Sequence, residues 1–159
     1  MEITERRNAA ATRAVIRYST DLVRLAYSYL LSRADAQDAV QDAFMIYLRR
    51  APEFESEDKE KAWLMKVTAN RCKNMLRSLW FKNRQPIPEE LPAEEDDRDV
   101  ILALGKLPKK YRICVHLHYY EGYTLNEIAE LLDAKPASVG TWLSRARAQL
   151  REELGGDFE

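Results

Sequence analysis

Lys66, Asn70, Lys73, Asn74 and Arg77 recur at spacings of three and four residues, which puts them along one face of a helix. Their chemistry suits a nucleic acid, because cations follow phosphates and side-chain amides hydrogen-bond base edges. Trp63 stands at the start of this run, and Trp80 and Phe81 follow it, giving rings on which unpaired bases can stack. The combination fits separated DNA strands better than duplex alone. A solvated basic face with tryptophans in a core has the same pattern, and the residues by themselves do not choose between the two.

A second set is Ser138, Thr141, Trp142, Ser144, Arg145 and Arg147, hydrogen-bonding and cationic groups on the exposed side of a helix that Pro136 opens. The helix before it starts at a capping box, Thr124-Leu125-Asn126-Glu127, in which Thr124 and Glu127 satisfy each other's backbone donors. Two helices at 124–132 and 136–152, joined by about three residues, read as a helix-turn-helix whose second member enters the DNA major groove. Ala129 is small where the helices must approach, and Val139 and Leu143 face inward one turn apart. Asp133 stands in the turn where Gly is usual, and Asp tolerates the left-handed conformation better than most residues. A plain helical hairpin with a solvated face is the alternative. A third set is acidic: Asp35, Asp38 and Asp42 at i, i+3 and i+7 with Gln41 beside them, either a docking face for a basic protein surface or a solvated helix face.

Catalytic chemistry finds little footing. His116 and His118 are two apart and point to different faces, and Cys114 with His118 lacks further ligands for a metal site. No GxxxxGK[ST], GxGxxG or GxSxG motif occurs. The expectation is a non-enzyme with no metal and no cofactor.

The elements that position these groups are helices. Leu22, Leu25, Ala26, Tyr29 and Leu30 form one apolar stripe, with a further helix expected through 14–18 before it. Ala36, Val40, Ala43, Phe44, Tyr47 and Leu48 form a second stripe, capped by Ser32 or Asp35 and ended before Pro52. Leu64, Val67, Cys72, Met75 and Leu79 are the expected buried side of a third helix over about 59–79. After position 100 the stripes are Ile113, Leu117 and Tyr120, with a stop at Gly122; Ile128, Ala129, Leu131 and Leu132; and Val139, Leu143, Ala146 and Leu150. The fold class expected is all-α, with two small helical domains at 8–80 and 98–154.

Between them, 81–97 holds Pro86, Pro88 and Pro92 and six acids from Glu89 to Asp97, a composition that buries too little to offset its ordering entropy. It reads as an acidic Pro-rich linker. Net charge hides this layout. The whole chain of 159 residues sums to −1, yet 59–84 holds eight basic residues against Glu60 (+7), and 85–99 holds seven acids against Arg98 (−6). A hydrophobic fraction of 46% is that of a globular protein, and no apolar run approaches the ~18 residues of a membrane span. With two cysteines and no apolar leader, a disulfide-framed secreted protein and membrane insertion are excluded, and the expected location is cytoplasmic.

Taken together these residues resemble the bacterial RNA polymerase sigma factors of the extracytoplasmic-function (ECF) group. Asp35-Ala36-Gln37-Asp38-Ala39-Val40-Gln41-Asp42-Ala43-Phe44 looks like the helix DAEDAVQEVF of that family's region two, and Ala62-Trp63-Leu64 through Asn70 and Asn74 looks like its AWLYRIARN helix. Leu107-Pro108 to Leu150 is similar to region four, including Glu127-Ile128-Ala129 and Ser144-Arg145-Ala146-Arg147. The resemblance implies core RNA polymerase and promoter DNA, duplex and melted, as partners, with an anti-sigma factor as a further candidate. It implies that Asp35, Asp38, Gln41 and Asp42 dock on polymerase. Asn70 would contact an unstacked base of the minus-ten element, with Trp63, Lys66, Lys73, Asn74 and Arg77 along the same path, and the loop at 54–58 would pocket a flipped base. Ser138, Gly140, Thr141, Ser144 and Arg145 occupy the positions that read the minus-thirty-five element. Gly140 and Trp142 depart from the basic and polar residues common there, and Asn74 stands where many members have Asp. The alternatives are a stand-alone helix-turn-helix regulator and a protein-binding helical adaptor. Limited proteolysis is expected to cut first within 81–97; preferential cutting inside 59–79 or 124–150 would overturn the two-domain layout.

Overall fold

The computed structural model describes residues 2–81 and 103–155. Three long helices build the first part: α1 (Glu2–Leu30), α2 (Arg33–Arg50) and α3 (Glu57–Phe81). The stripe expected at Leu22 continues backward through Tyr18 to Ala14 in the same phase. No Gly or Pro interrupts it, so the two helices expected there are one of 29 residues. Ser32 caps α2 by accepting from the Asp35 N–H at 3.2 Å, and Ala51 ends it in the left-handed conformation just ahead of Pro52.

α1 packs on both α2 and α3, and these pack on each other. Leu22, Leu25 and Leu30 of α1, Ala36, Ala39 and Ala43 of α2, and Leu64 and Met65 of α3 are fully enclosed. The small residues of α2 let its backbone come close. The buried side of α3 is Leu64, Met65, Thr68, Ala69 and Cys72, not the set expected: Val67 and Met75 are only half-buried. Close packing at Thr68 and Ala69 suits small side chains, and the larger apolar ones lie at the edge of the contact. Leu79, the remaining member of the expected set, lies outside the side chains described.

Glu60, the one acid in the basic block, has a structural role that charge counting misses. Its two carboxylate oxygens accept from the Tyr18 phenol of α1 at 3.0 Å and from the Tyr47 phenol of α2 at 2.6 Å, so one side chain of α3 ties all three helices. Burial above all, with the Glu60 hydrogen bond and charge added, pushes the Tyr47 phenol well above its ordinary 10.0. Burial likewise raises Tyr18, against an opposing hydrogen bond from Arg17.

The second part begins with a helical turn at 103–106 and continues through α4 (Lys109–Val115), a π turn (His116–Tyr120), α5 (Leu125–Leu132) and α6 (Pro136–Leu154). The chain divides into two compact units, Met1–Pro86 and Ile87–Glu159. Apart from the backbone of Phe81 at the end of α3, the expected linker lies outside the described residues.

Pro108 is the residue at which α4 starts, and the buried Arg112 donates to the Leu107 carbonyl at 3.1 Å, binding the helix to the loop before it. The apolar spacing does not foretell the π turn. Its widened spiral advances the side chains out of α-helical phase, so Ile113 and Leu117 are buried while Tyr120 is 53% exposed and stacks on His116, with ring centroids 5.2 Å apart. Gly122, at φ +73°, ends the segment in a conformation open to glycine. The Thr124–Glu127 capping box is present, with its reciprocal bonds at 3.0 and 3.1 Å. Asp133 turns the chain at φ 53°, and Val139, Leu143, Ala146 and Leu150 are buried as the spacing requires.

Tyr47→Phe leaves the ring and removes one of the two donors to Glu60, so it should cost about 1–2 kcal/mol in urea unfolding. A folded-state phenol pKa above the unfolded one adds stability that is complete below about pH 10 and lost as pH rises through and past it. The variant should therefore flatten the alkaline loss of stability, which unfolding at pH 8 and 11 will measure.

Candidate nucleic-acid interface

At 3.6 residues per turn, Trp63, Lys66, Asn70, Lys73, Asn74 and Arg77 all lie on the side of α3 opposite Leu64, Thr68 and Cys72. Asn70, Asn74 and Arg77 are exposed, and Lys66 and Lys73 are half-buried along the same face. Asn74 Oδ1 lies 3.5 Å from Arg77 Nη1, at the outer limit of a hydrogen bond. Trp63 is not a free stacking ring. It meets Tyr47 edge-on at 5.9 Å and Phe54 at 5.8 Å, and Phe54 in turn stacks on Tyr47 at 6.3 Å. Half-buried, it gives the basic face an aromatic floor at its N-terminal end and fastens the loop at 54–58 to it. The side chains of Trp80 and Phe81 lie outside the described residues.

The seven candidates on α6 do not share one face. Thr141, Ser144 and Arg145 point directly away from the buried stripe, with Ser138 at the margin. Arg145 has no partner among the described residues, whereas the Thr141 hydroxyl donates to the Ala137 carbonyl at 3.1 Å. Gly140 and Arg147 lie on one flank and Trp142 on the other, all half-buried. A Cβ at Gly140 would meet Leu125 Cδ1 of α5 at 3.8 Å, ordinary contact, so the glycine is turned toward the preceding helix and adds no reading group of its own. The Trp142 ring lies under the Lys110 ammonium at 5.1 Å, and Arg147 Nη1 donates to Tyr119 Oη at 2.6 Å.

The acidic face of α2 is opposite its buried alanines. Asp38 and Gln41 are exposed and Asp35 is half-buried in the first turn. Asp42 is not a free docking charge, because its Oδ2 accepts from Arg71 Nε of α3 at 2.6 Å. The two helices pack side by side, which brings together residues that the linear charge pattern assigns to separate surfaces.

Three residues that sequence spacing does not single out belong to these faces. Met45, 55% exposed, sits in the middle of the acidic face of α2; its apolar side chain three residues after Asp42, off the stripe, was the available signal. Lys110 and Tyr119 reach α6 from other helices, and no spacing within one segment reveals that. Cys114 is enclosed, its thiol pushed up to about 12 by burial, and His118 Nδ1 lies 2.9 Å from the Tyr123 carbonyl oxygen. No group of three or more His, Cys, Asp or Glu that could hold a metal gathers among the described residues, and no helix there is long and apolar enough to cross a membrane.

Residues 14–82 match the family model described as Sigma-70 region 2, and residues 97–150 match that described as Sigma-70, region 4. The RNA polymerase sigma factor SigV of Bacillus subtilis is 29% identical over 143 residues, covering 86% of each chain. The ECF RNA polymerase sigma factor SigE of Mycolicibacterium smegmatis is 31% identical over 155 residues, covering 88% of this chain and 60% of its own. Among solved structures, CnrH in complex with the cytosolic domain of CnrY superposes with a TM-score of 0.69 at 25% identity, over 95% of this chain and 91% of that one. The sigma factor RpoE, in complex with the anti-sigma factor NepR from Bartonella quintana, superposes at 0.76 and 23% identity over 92% of this chain and 98% of that one, a likeness of fold.

The Asp42–Arg71 pair separates two charge reversals on one helix face. Asp42→Arg should lower stability by up to ~1 kcal/mol, since it sets two cations together at a partly exposed contact. Asp38→Lys should stay within about 0.5 kcal/mol of the parent. Urea unfolding checks both, and Arg71→Asp should recover part of the Asp42→Arg loss.

Proposed function

The chain belongs to the sigma-70 family, in the ECF group of RNA polymerase sigma factors, and from that premise we propose how its faces divide the work of initiation. The exposed acids of α2, Asp35 and Asp38 with Gln41, and Met45 among them, dock on core RNA polymerase, with Asp42 held in place by Arg71. The outer face of α3 binds the minus-ten element as its strands part, Lys66, Lys73 and Arg77 following phosphates and Asn70 holding an unstacked base. α6 enters the major groove at the minus-thirty-five element, where Ser138, Thr141, Ser144 and Arg145 meet base edges and backbone. Trp142 supports Lys110 at the rim.

The observation that carries this reading is the alignment of six candidate residues on one face of α3, opposite its core. A stand-alone helix-turn-helix regulator needs no such face. The domains expected at 8–80 and 98–154, joined by the acidic segment 81–97, suit promoter recognition, because two tethered binding modules engage two elements with the second at raised effective concentration. No cofactor and no catalytic step are required, since strand opening draws on the binding energy of bases captured out of the stack. The site of action is the cytoplasm, with polymerase. Two structural neighbours are solved as complexes, one with an anti-sigma factor and one with the cytosolic domain of CnrY, and we extend an anti-sigma partner to this chain.

Run-off transcription with purified core polymerase on a genomic library tests the whole reading; no promoter-dependent transcript would overturn it. On a promoter so found, Asn70→Ala should reduce permanganate-reactive thymines in the minus-ten region while duplex occupancy persists. Normal opening would remove Asn70 from that role.

A further inference from the structure

α6 carries two arginines that the fold treats differently. Arg145 extends from the outward face with no partner among the described residues. Arg147 lies on the flank, half-buried, and its Nη1 donates to Tyr119 Oη at 2.6 Å. Tyr119 belongs to the π turn and is 41% exposed. Its ring is set edge-on to His118 at 4.9 Å, and His118 Nδ1 lies 2.9 Å from the Tyr123 carbonyl oxygen. A series of contacts thus runs from the loop backbone through His118 and Tyr119 to an arginine of the groove-entering helix.

We propose that Tyr119 is a positioning residue for DNA binding, holding the Arg147 guanidinium ready to clamp a backbone phosphate beside the groove. This rests on the assignment of α6 to the upstream element. A phenol suits that role because it is neutral. It fixes one guanidinium N–H without cancelling the charge, whereas the carboxylate of Asp42 leaves Arg71 neutralised in its pair. Four N–H donors remain for a phosphate. The location favours phosphate over base: Arg147 lies eleven residues past Pro136, about 16 Å along the helix axis, beyond the N-terminal turns that reach the groove floor. Its flank position also turns it aside from Thr141, Ser144 and Arg145. An arginine already ordered loses less side-chain freedom when it binds.

The test uses the full chain assembled with core polymerase, binding upstream-element duplexes by fluorescence anisotropy at two salt concentrations. Arg147→Ala should weaken all duplexes alike and reduce the salt slope by about one. Tyr119→Phe keeps the ring and should weaken binding about two- to tenfold, the cost of ordering one long side chain, again without regard to sequence. In the Arg147→Ala background, Tyr119→Phe should add nothing, because its effect passes through the arginine. Thermal unfolding and circular dichroism of Tyr119→Phe should match the parent. An unchanged affinity for Tyr119→Phe overturns the proposal, and an equal loss in both backgrounds overturns the positioning role. A loss confined to one base position overturns the phosphate assignment. If the parent holoenzyme shows no upstream binding, the reading of α6 itself fails, and that result is distinct from parent binding with an indifferent Tyr119→Phe.

Discussion

Glu60 receives hydrogen bonds from Tyr18 and Tyr47, one phenol on each of its carboxylate oxygens, so a single charged side chain joins α1, α2 and α3. Hydrogen bonds to an ionised acceptor are shorter and stronger than those between neutral groups. They set where the first turn of α3 sits against its neighbours. Tyr47 also packs on Trp63 and Phe54, so the same contact carries the start of the basic face and the loop before it. A displacement here would rotate α3, and with it every cation and amide on its outer side. The apolar core alone is less specific, since stripes of Leu, Ala and Met tolerate small rotations.

In the second unit, orientation comes from the chain ends of helices. The Thr124–Glu127 box and the left-handed Asp133 set the start and stop of α5, and Pro136 begins α6 two residues after Ala134. These devices hold the exposed face of α6 away from its stripe of Val139, Leu143, Ala146 and Leu150. The π turn adds a second layer. Its Tyr119 accepts from Arg147, while Lys110, at the start of α4, covers Trp142. The helix assigned to DNA is therefore flanked on both sides by side chains from elsewhere in the same unit.

Charge is organised by pairing as well as by patches. Asp42 and Arg71 neutralise each other where α2 meets α3, at the boundary between an acidic and a basic face. Asp38, Asn70 and Arg145 keep their polar groups open. A near-zero net charge thus coexists with opposed surfaces suited to a protein partner and a polyanion.

The all-α class, the capping box, the left-handed turn at Asp133, the buried stripe of α6 and the common face of Lys66, Asn70, Lys73, Asn74 and Arg77 on α3 were legible in the sequence, because each depends on spacing within one segment. A helix repeats every 3.6 residues, so local order alone decides which side chains share a side. Tertiary structure decided the rest. The single long α1, the small buried residues of α3, the Glu60 junction, the Asp42–Arg71 pair and the attachments of Arg147 and Trp142 all depend on how separate helices meet. The outward Tyr120 depends on a π turn beginning at His116, which the apolar spacing of Ile113 and Leu117 does not reveal. Sequence spacing states which face a residue is on; only packing states what already occupies its polar atoms, and that decides which of the candidate groups are left to bind another molecule.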